Sequence, residues 1–343
     1  KIRRIIQLLV IDNLVIEKIN MTPIIQEQAK TLTFTEADHK YTDENNLVYI
    51  SVTTLLEKYK VPFDNNFWSM YTGLKDAGYK LKPYPEEQAI RLGNVKFKLK
   101  DLMQESYYVQ LQEMTKAKWR VKTTEACIRG NIIHNSIEEG INKTRNDLTA
   151  KDNDLITYED NPFKYGKNIS TLNDLDASHL KEEYPFIYNK LKPLVMAGAT
   201  VFSEKRVYLS KYGIAGTIDC PIIKGKYFSI LDWKSNAADM HDTPGYYKKE
   251  KIGSEWVKSD TWIITEDMFN APISHIPASK FHTYCLQLSI YAYIMEQWGY
   301  VLIPNGLAII HYPLNKEPVY IPVPYLRNEV IAIFTDHKRK LSS

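Results

Sequence analysis

Residues 204–234 read EKRVYLSKYGIAGTIDCPIIKGKYFSILDWK, and their patterning sets the terms for the rest of the chain. Two β-like runs, about 214–223 and 227–233, are joined by Lys224-Gly225-Lys226, a hairpin-like turn. The first run carries Asp219, and the second ends in Asp232-Trp233-Lys234. Successive side chains of a strand point to opposite faces, so Asp232 and Lys234 share one face and Trp233 takes the other. An acid on one strand, facing an acid and a lysine two apart on the next, suits a divalent cation held beside a positive charge.

Working outward, 199–209 alternates so as to put Phe202, Glu204 and Arg206 on one face, which predicts a third strand before the hairpin. Upstream, 121–142 reads as a helix with Ile128, Ile132, Ile133 and Ile137 as its apolar stripe. Gly130 and His134 are four apart and stack on another face of it. Downstream, 279–298 is a strong helix with Gln287 and Tyr291 on one face, followed by strands in GLAIIHYPL and PVYIPV and a terminal helix over 325–340. The stretch 236–276 has turn-formers and Lys248, Lys249, Lys251 and Lys258 but no clean period, and its length suggests function or a small inserted subdomain.

Nearer the start, 31–50 reads as a hairpin turning at Asp43-Glu44-Asn45-Asn46, and Ser51 as the N-cap of a short helix. Pro85-Glu86-Glu87 predicts the first turn of a long helix or helix pair over 85–118. A polar insertion is expected over 144–178 and a further helix near 178–197. The chain begins KIRRIIQLLVIDNLVI, in which Asp12 interrupts the apolar run, and Met21-Thr22-Pro23 looks like a natural start. The expected organisation is an upstream extension at 1–20, a hairpin and helical region at 21–120, and a core at 121–343 with insertions at about 144–178 and 236–276.

The 343 residues are long enough to bury a core, and a hydrophobic content of 44% with 25% charged residues is ordinary for a globular chain. No run approaches the roughly 20 apolar residues of a membrane span. Three cysteines without CxxC spacing exclude a disulfide framework and point to a reducing cytoplasm. The net charge of +3 says little, but 91–129 holds nine Lys/Arg against four Asp/Glu, while 147–183 reverses this to four against nine. A basic segment near an acidic site is what an enzyme acting on a polyanion needs.

Phosphodiester hydrolysis requires a metal to polarise the phosphate, an activated water, and neutralisation of transition-state charge. Asp219 and Asp232 on adjacent strands can hold Mg²⁺ or Mn²⁺, which favour oxygen ligands. Lys234 can then orient or deprotonate water, or stabilise the phosphate. Glu204 could complete the cluster or hold Lys234. Glycine at 130 would let another backbone, or a nucleic acid, approach the imidazole of His134 closely. Gln287 and Tyr291 are placed to hold the site or a phosphate.

In order and approximate spacing, Gly130-x-x-x-His134, Glu204, Gly216-x-x-Asp219, Asp232-x-Lys234 and Gln287-x-x-x-Tyr291 resemble the RecB-like branch of the PD-(D/E)XK nucleases, which includes phage exonucleases. These motifs span about half the chain. Residues 34–64, with His39-x-Tyr41 and Ser51-Val52-Thr53, resemble the front end of phage-encoded members. The resemblance implies an α/β, restriction-endonuclease-like core with a central mixed β-sheet flanked by helices, plus a helical N-terminal region. It implies that His134, Asp219, Asp232 and the carbonyl of Trp233 ligate Mg²⁺ or Mn²⁺, and that Lys234 is the catalytic lysine. Three unclustered cysteines argue against the iron–sulfur cluster of some relatives.

The function so implied is a DNA exonuclease of phage or prophage origin, in recombination or repair, working in the cytoplasm of a bacterial host on double-stranded ends or single strands. Arg129, Lys248, Lys249 and Lys251, with Gln287 and Tyr291, are the expected nucleic-acid contacts. Tyr246, Tyr247 and Trp256 are candidates for base stacking. No GxxxxGK[ST] motif is present, so unwinding would need a helicase or recombination partner. The alternatives are a structure-specific or restriction-type endonuclease, and an inactive nuclease fold kept as a nucleic-acid-binding module.

Overall fold

A computed structural model describes residues 32–35, 40–146, 168–169, 179–253 and 255–341. The expected extension at 1–20 and most of the insertion at 144–178 lie outside the described residues. The chain forms two compact units, one of Lys1–Lys60 with Ile132–Ser343 and one of Val61–Asn131.

The first described elements are an antiparallel meander of β1 (Thr33–Thr35), β2 (Lys40–Thr42) and β3 (Val48–Ser51). Asp43 shapes its second turn, its Oδ1 accepting from the amides of Asn45 and Leu47 at 2.9 and 3.0 Å. Ser51 caps α1 (Val52–Glu57) by accepting from the Thr54 amide at 3.0 Å.

In the 61–131 unit, α2 (Asn65–Asp76) is followed by strands where a helix was expected. β4 (Leu81–Tyr84), β5 (Ala89–Leu92) and β6 (Val95–Lys98) form an antiparallel meander, and Pro85–Glu87 is only a 3-10 turn between the first two. Gln88 and Gly93 take left-handed φ angles of 48° and 58°, which no helix accommodates, and VKFK alternates with period two. Helix begins only at α3 (Leu99–Leu102) and α4 (Ser106–Asn146), the latter 41 residues long. Phe67, Met70, Leu74, Ile90, Leu99 and Leu102 form the core of this unit.

In the larger unit, β7 (Asn168–Ile169) precedes α5 (His179–Glu183) and α6 (Pro185–Met196). The single helix expected at 178–197 breaks at Tyr184, the residue before Pro185, where helical geometry is disfavoured. The strands expected at 199–209 and 214–223 are each divided in two. β8 (Thr200–Phe202) and β9 (Lys205–Leu209) flank Ser203-Glu204, while β10 (Ile214–Ile218) and β11 (Cys220–Lys224) flank Asp219. At the junction the Glu204 amide donates to the Asp219 carbonyl at 2.9 Å, and Glu204 takes a φ of 49°. The simple alternation expected of Phe202, Glu204 and Arg206 is therefore lost, and the two parts of each divided strand enter different sheets.

One sheet has the order β1-β2-β3-β10-β9, with β3 and β10 parallel. The other has the order β16-β15-β12-β11-β8-β7, built around β12 (Tyr227–Lys234), β15 (Val301–His311) and β16 (Val319–Pro322). β12 and β15 are parallel neighbours connected through β13 (Gly245–Ile252), β14 (Glu255–Ile264) and α7 (Lys280–Gln297). α8 (Arg327–Leu341) ends the described chain. The region 236–276 thus holds a separate two-stranded ribbon, β13–β14, rather than an unstructured connection.

Alternation along β12 assigns its two faces. Phe228 and Ile230 pack with Leu286, Ile290 and Ile294 of α7, whereas Leu231 and Trp233 pack with Ile137 and Ile141 of α4 and Leu191 of α6. The fold is therefore α/β, with mixed sheets and helices. The apolar stripe predicted for 121–142 holds only in part: Ile137 is buried and Ile133 partly so, but Ile128 and Ile132 are exposed. No helix among the described residues is long and apolar enough to cross a membrane.

Gly216 on β10 lets Tyr291 of α7 approach the sheet closely. A Cβ there would stand 2.6 Å from Tyr291 Cε1 and 2.9 Å from its hydroxyl oxygen. Gly216→Ala is expected to destabilise the fold by about 1–3 kcal/mol through overpacking. In a Tyr291→Leu background most of that cost should vanish, as a double-mutant cycle in urea would read; equal costs in both backgrounds would refute the contact.

Candidate active site

The β11–β12 ladder pairs Cys220 with Leu231, so Asp219 comes opposite Asp232 at the bend. Trp233 joins the parts through its backbone. Its amide donates to Asp219 Oδ2 at 2.7 Å, and its carbonyl oxygen lies 3.0 Å from His134 Nε2 on α4. The indole points the other way and is buried between α4, α6 and the sheet, as strand alternation predicts.

With Nε2 donating to the Trp233 carbonyl, Nδ1 of His134 faces the carboxylates, 3.6 Å from Glu204 Oε1 and 3.7 Å from Asp219 Oδ2. Among the described residues, His134, Glu204 and Asp219 are the one group of three such donors, with ligand atoms all within 4.8 Å of one another. The two imidazole–carboxylate separations are too long for hydrogen bonds. They suit atoms that share an ion, since ligands around one Mg²⁺ stand about 3–4 Å apart. A histidine whose second ring nitrogen is fixed by a backbone carbonyl is also the usual arrangement of a metal ligand. The residues present therefore fit an oxygen-preferring divalent cation.

This grouping redistributes the expected roles. Glu204 stands with His134 and Asp219 in the group that could hold an ion, brought there by its left-handed backbone and its amide bond to Asp219. Strain of this kind persists where surrounding structure over-determines it, often at functional sites. Asp232 is buried and ion-paired with Lys234, and the Trp233 carbonyl orients His134.

Lys234 is held on the α7 side. Its Nζ sits 4.8 Å from the centre of the Tyr284 ring, and the Tyr284 hydroxyl donates to Asn236 Oδ1 at 2.8 Å. His311 Nε2 in turn lies 2.9 Å from the Asn236 carbonyl oxygen. Farther along α7, Gln287 Nε2 donates to the Tyr291 hydroxyl at 3.2 Å. From the other sheet, the hydroxyls of Tyr41 and Thr217 meet at 3.0 Å, with Glu204 and Asp219 in electrostatic reach of Tyr41. Sequence reasoning missed Tyr284 and Asn236, and marked Tyr41 only as part of the His39-x-Tyr41 motif. Tyr284 was within reach, being three residues before Gln287 and so on the same helix face.

The charges are coupled. Burial works against a charged imidazole, but Asp219 and Glu204 outweigh it and push His134 up to about 9. Burial, then the neighbouring Glu204, raises Asp219; burial, then Asp219, raises Asp232 to about 7. Burial opposes the charge on Lys234 too, yet Asp232 and Asp219 overcome it and hold its pKa above the ordinary lysine value.

The expected nucleic-acid contacts fall on different elements. Arg129 belongs to the 61–131 unit. Lys248 pairs with Glu250 at 3.1 Å, and Lys249 lies directly opposite Lys258 on the ribbon. Lys258 Nζ sits 3.5 Å above the Tyr247 ring. Tyr246 is exposed, and Lys251 and Trp256 are paired strand positions at the ribbon's outer end. Comparison of the chain with protein-family models, with curated proteins and with solved structures found no match.

The raised pKa values set a pH dependence. For His134 the folded value lies above the unfolded one, so its contribution to stability is present below 6.5 and is lost as pH rises through about 9. For Asp232, ionisation is costlier in the folded state, so stability falls from its ordinary 3.8 upward through about 7. The melting temperature of the metal-free protein should therefore fall between about pH 5 and about pH 9. Mn²⁺ should raise it, by more at the alkaline end, because the ion competes with a proton for His134. His134→Ala should remove most of the Mn²⁺ increment; calorimetry showing the same increment in that variant would exclude the site.

Proposed function

We propose that this chain is a metal-dependent deoxyribonuclease with the restriction-endonuclease-like core of the RecB-like PD-(D/E)XK branch, an exonuclease hydrolysing phosphodiester bonds at DNA ends beside a recombination or helicase partner. The observation that carries this reading is a partly buried, charge-anchored lysine next to a His/Glu/Asp donor group.

Bound Mg²⁺ or Mn²⁺ would supply Lewis-acid polarisation of the phosphate and a more acidic water. His134, Glu204 and Asp219 would hold the ion. Lys234 stays protonated across the neutral range, since its pKa is raised. That favours a donor over a base: its ammonium group, aimed by Asp232 and the Tyr284 ring, orients the attacking water or neutralises charge building on the phosphate oxygens. Asp232 contributes by anchoring that ammonium.

Lys234→Ala should lower the cleavage rate by about 10²–10³-fold, a typical loss for one preorganised donor, and Asp232→Asn should lower it comparably, with circular dichroism unchanged. Wild-type rates in either folded variant would refute the reading. A time course comparing end-labelled linear DNA with closed circular DNA reports the mode of attack. Shortening of the linear form alone is expected; nicking of the circle would assign an endonuclease.

A further inference from the structure

Lys234 ends β12, and what fixes its side chain extends beyond Asp232 and the Tyr284 ring. A lysine ammonium is a compact charge on a flexible stem with rotatable donors, so an ion pair sets where it sits better than where it points. Asp232 supplies the ion pair, and the face of the Tyr284 ring, 4.8 Å from Nζ, supplies a second surface. That surface is only as steady as the ring.

The ring is held at its far end. Its hydroxyl donates to Asn236 Oδ1 at 2.8 Å, and Asn236 lies just past the end of β12, outside the ladder. There β15 takes over. The Tyr312 amide donates to the Lys234 carbonyl oxygen at 2.7 Å, and His311 Nε2 lies 2.9 Å from the Asn236 carbonyl oxygen. A carbonyl only accepts, so Nε2 carries the hydrogen of this bond. His311 is the register partner of Lys234 across the parallel β12–β15 pair. The contacts therefore close a circuit. They run from Lys234 to Tyr284, through the side chain of Asn236 to its backbone, on to His311, and across the ladder back to Lys234.

His311 is 2% exposed and follows the buried apolar run of Leu307, Ala308, Ile309 and Ile310. Burying a polar ring is unfavourable without a hydrogen-bond partner, and an apolar side chain would continue that run more simply. What the imidazole adds is its bond to the Asn236 carbonyl.

We propose that Asn236 and His311 are positioning residues for Lys234, holding the Tyr284 ring at the orientation that receives the ammonium. Neither takes part in the chemical step. The purpose of the circuit rests on the nuclease reading above, in which Lys234 serves the water or the phosphate; its geometry does not.

The test pairs a spectroscopic readout with a kinetic one. Lysine protons seated over an aromatic face are displaced upfield in a nuclear magnetic resonance spectrum. In protein isotope-labelled at lysine Cε, the Lys234 signal is the one missing from Lys234→Ala, and its displacement reports where the ring sits. Tyr284→Phe keeps the ring and removes only the hydroxyl, Asn236→Ala removes the acceptor, and His311→Leu removes the donor to the Asn236 backbone. In each, the displacement should be largely lost. In each, kcat on end-labelled DNA should fall about 10–100-fold with KM unchanged, as for a misplaced group that acts only in the transition state. His311→Gln, whose amide can still donate, should recover part of both. Tyr284 and Asn236 are half-buried, so the outcome does not depend on whether His311→Leu folds. With a wild type that cleaves DNA, either readout unmoved in folded Tyr284→Phe and Asn236→Ala overturns the positioning and leaves the nuclease reading standing. A wild type that cleaves nothing overturns that reading, and the signal alone then decides the positioning.

Discussion

The peptide unit of Trp233 is what the candidate site depends on. Its amide fixes Asp219 and its carbonyl fixes His134, at 2.7 and 3.0 Å, while its neighbours in sequence are the buried Asp232 and the partly buried Lys234. Four functional groups from three elements are thus referred to one strand position. That position cannot drift, because the indole is buried in the layer formed by Ile137, Ile141 and Leu191. Close packing in that layer converts directly into the orientation of a histidine and a carboxylate on the other side of the strand.

The energetic pattern around this peptide is that of a site rather than of a scaffold. Two carboxylates and a lysine taken out of water lose hydration that their mutual attraction does not reliably return, and apolar residues of similar size would serve stability as well or better. Burial lifts Asp219 and Asp232 away from ordinary carboxylate behaviour, and Glu204 adds a left-handed backbone that glycine would adopt more readily. Clustered perturbed groups of this kind are typical of functional centres. A bound cation would offset the three carboxylates at once, since Lys234 and His134 alone leave the cluster with an excess of negative charge whenever all of them are ionised.

Much of this was legible in residues whose spacing has a direct geometric meaning. Period two placed Asp232 and Lys234 together and sent Trp233 to the far face; period 3.6 put Gln287 and Tyr291 on one face of a helix; Ser51 and Asp43 announced a cap and a turn. The failures have equally local causes. Pro85-Glu86-Glu87 carries the charge pattern of a helix start, but the left-handed Gln88 immediately after it turns the chain into a strand meander. The ribbon over 245–264 was hidden by lysines and by a register irregularity between Tyr247 and Lys249, which together blur its alternation. Ile128 and Ile132 share the apolar spacing of Ile133 and Ile137, yet spacing alone cannot say where packing partners stop along a 41-residue helix.

Glu204 is the most instructive of these cases. Read as an ordinary strand residue, it belongs on the face of Phe202 and Arg206, where its relation to Asp219 is incidental. Its positive φ reverses that: the strand breaks, the amide of Glu204 bonds the Asp219 carbonyl, and the carboxylate turns toward His134. The same bend hands β9 and β10 to one sheet and β8 and β11 to the other. Through β9 and β10 it brings the N-terminal meander close enough for Tyr41 to reach Thr217. One backbone irregularity therefore both divides the strands between the two sheets and turns the third carboxylate toward His134. No pattern of apolar residues could have reported it, because the irregularity is specified by contacts that exist only once the hairpin has closed.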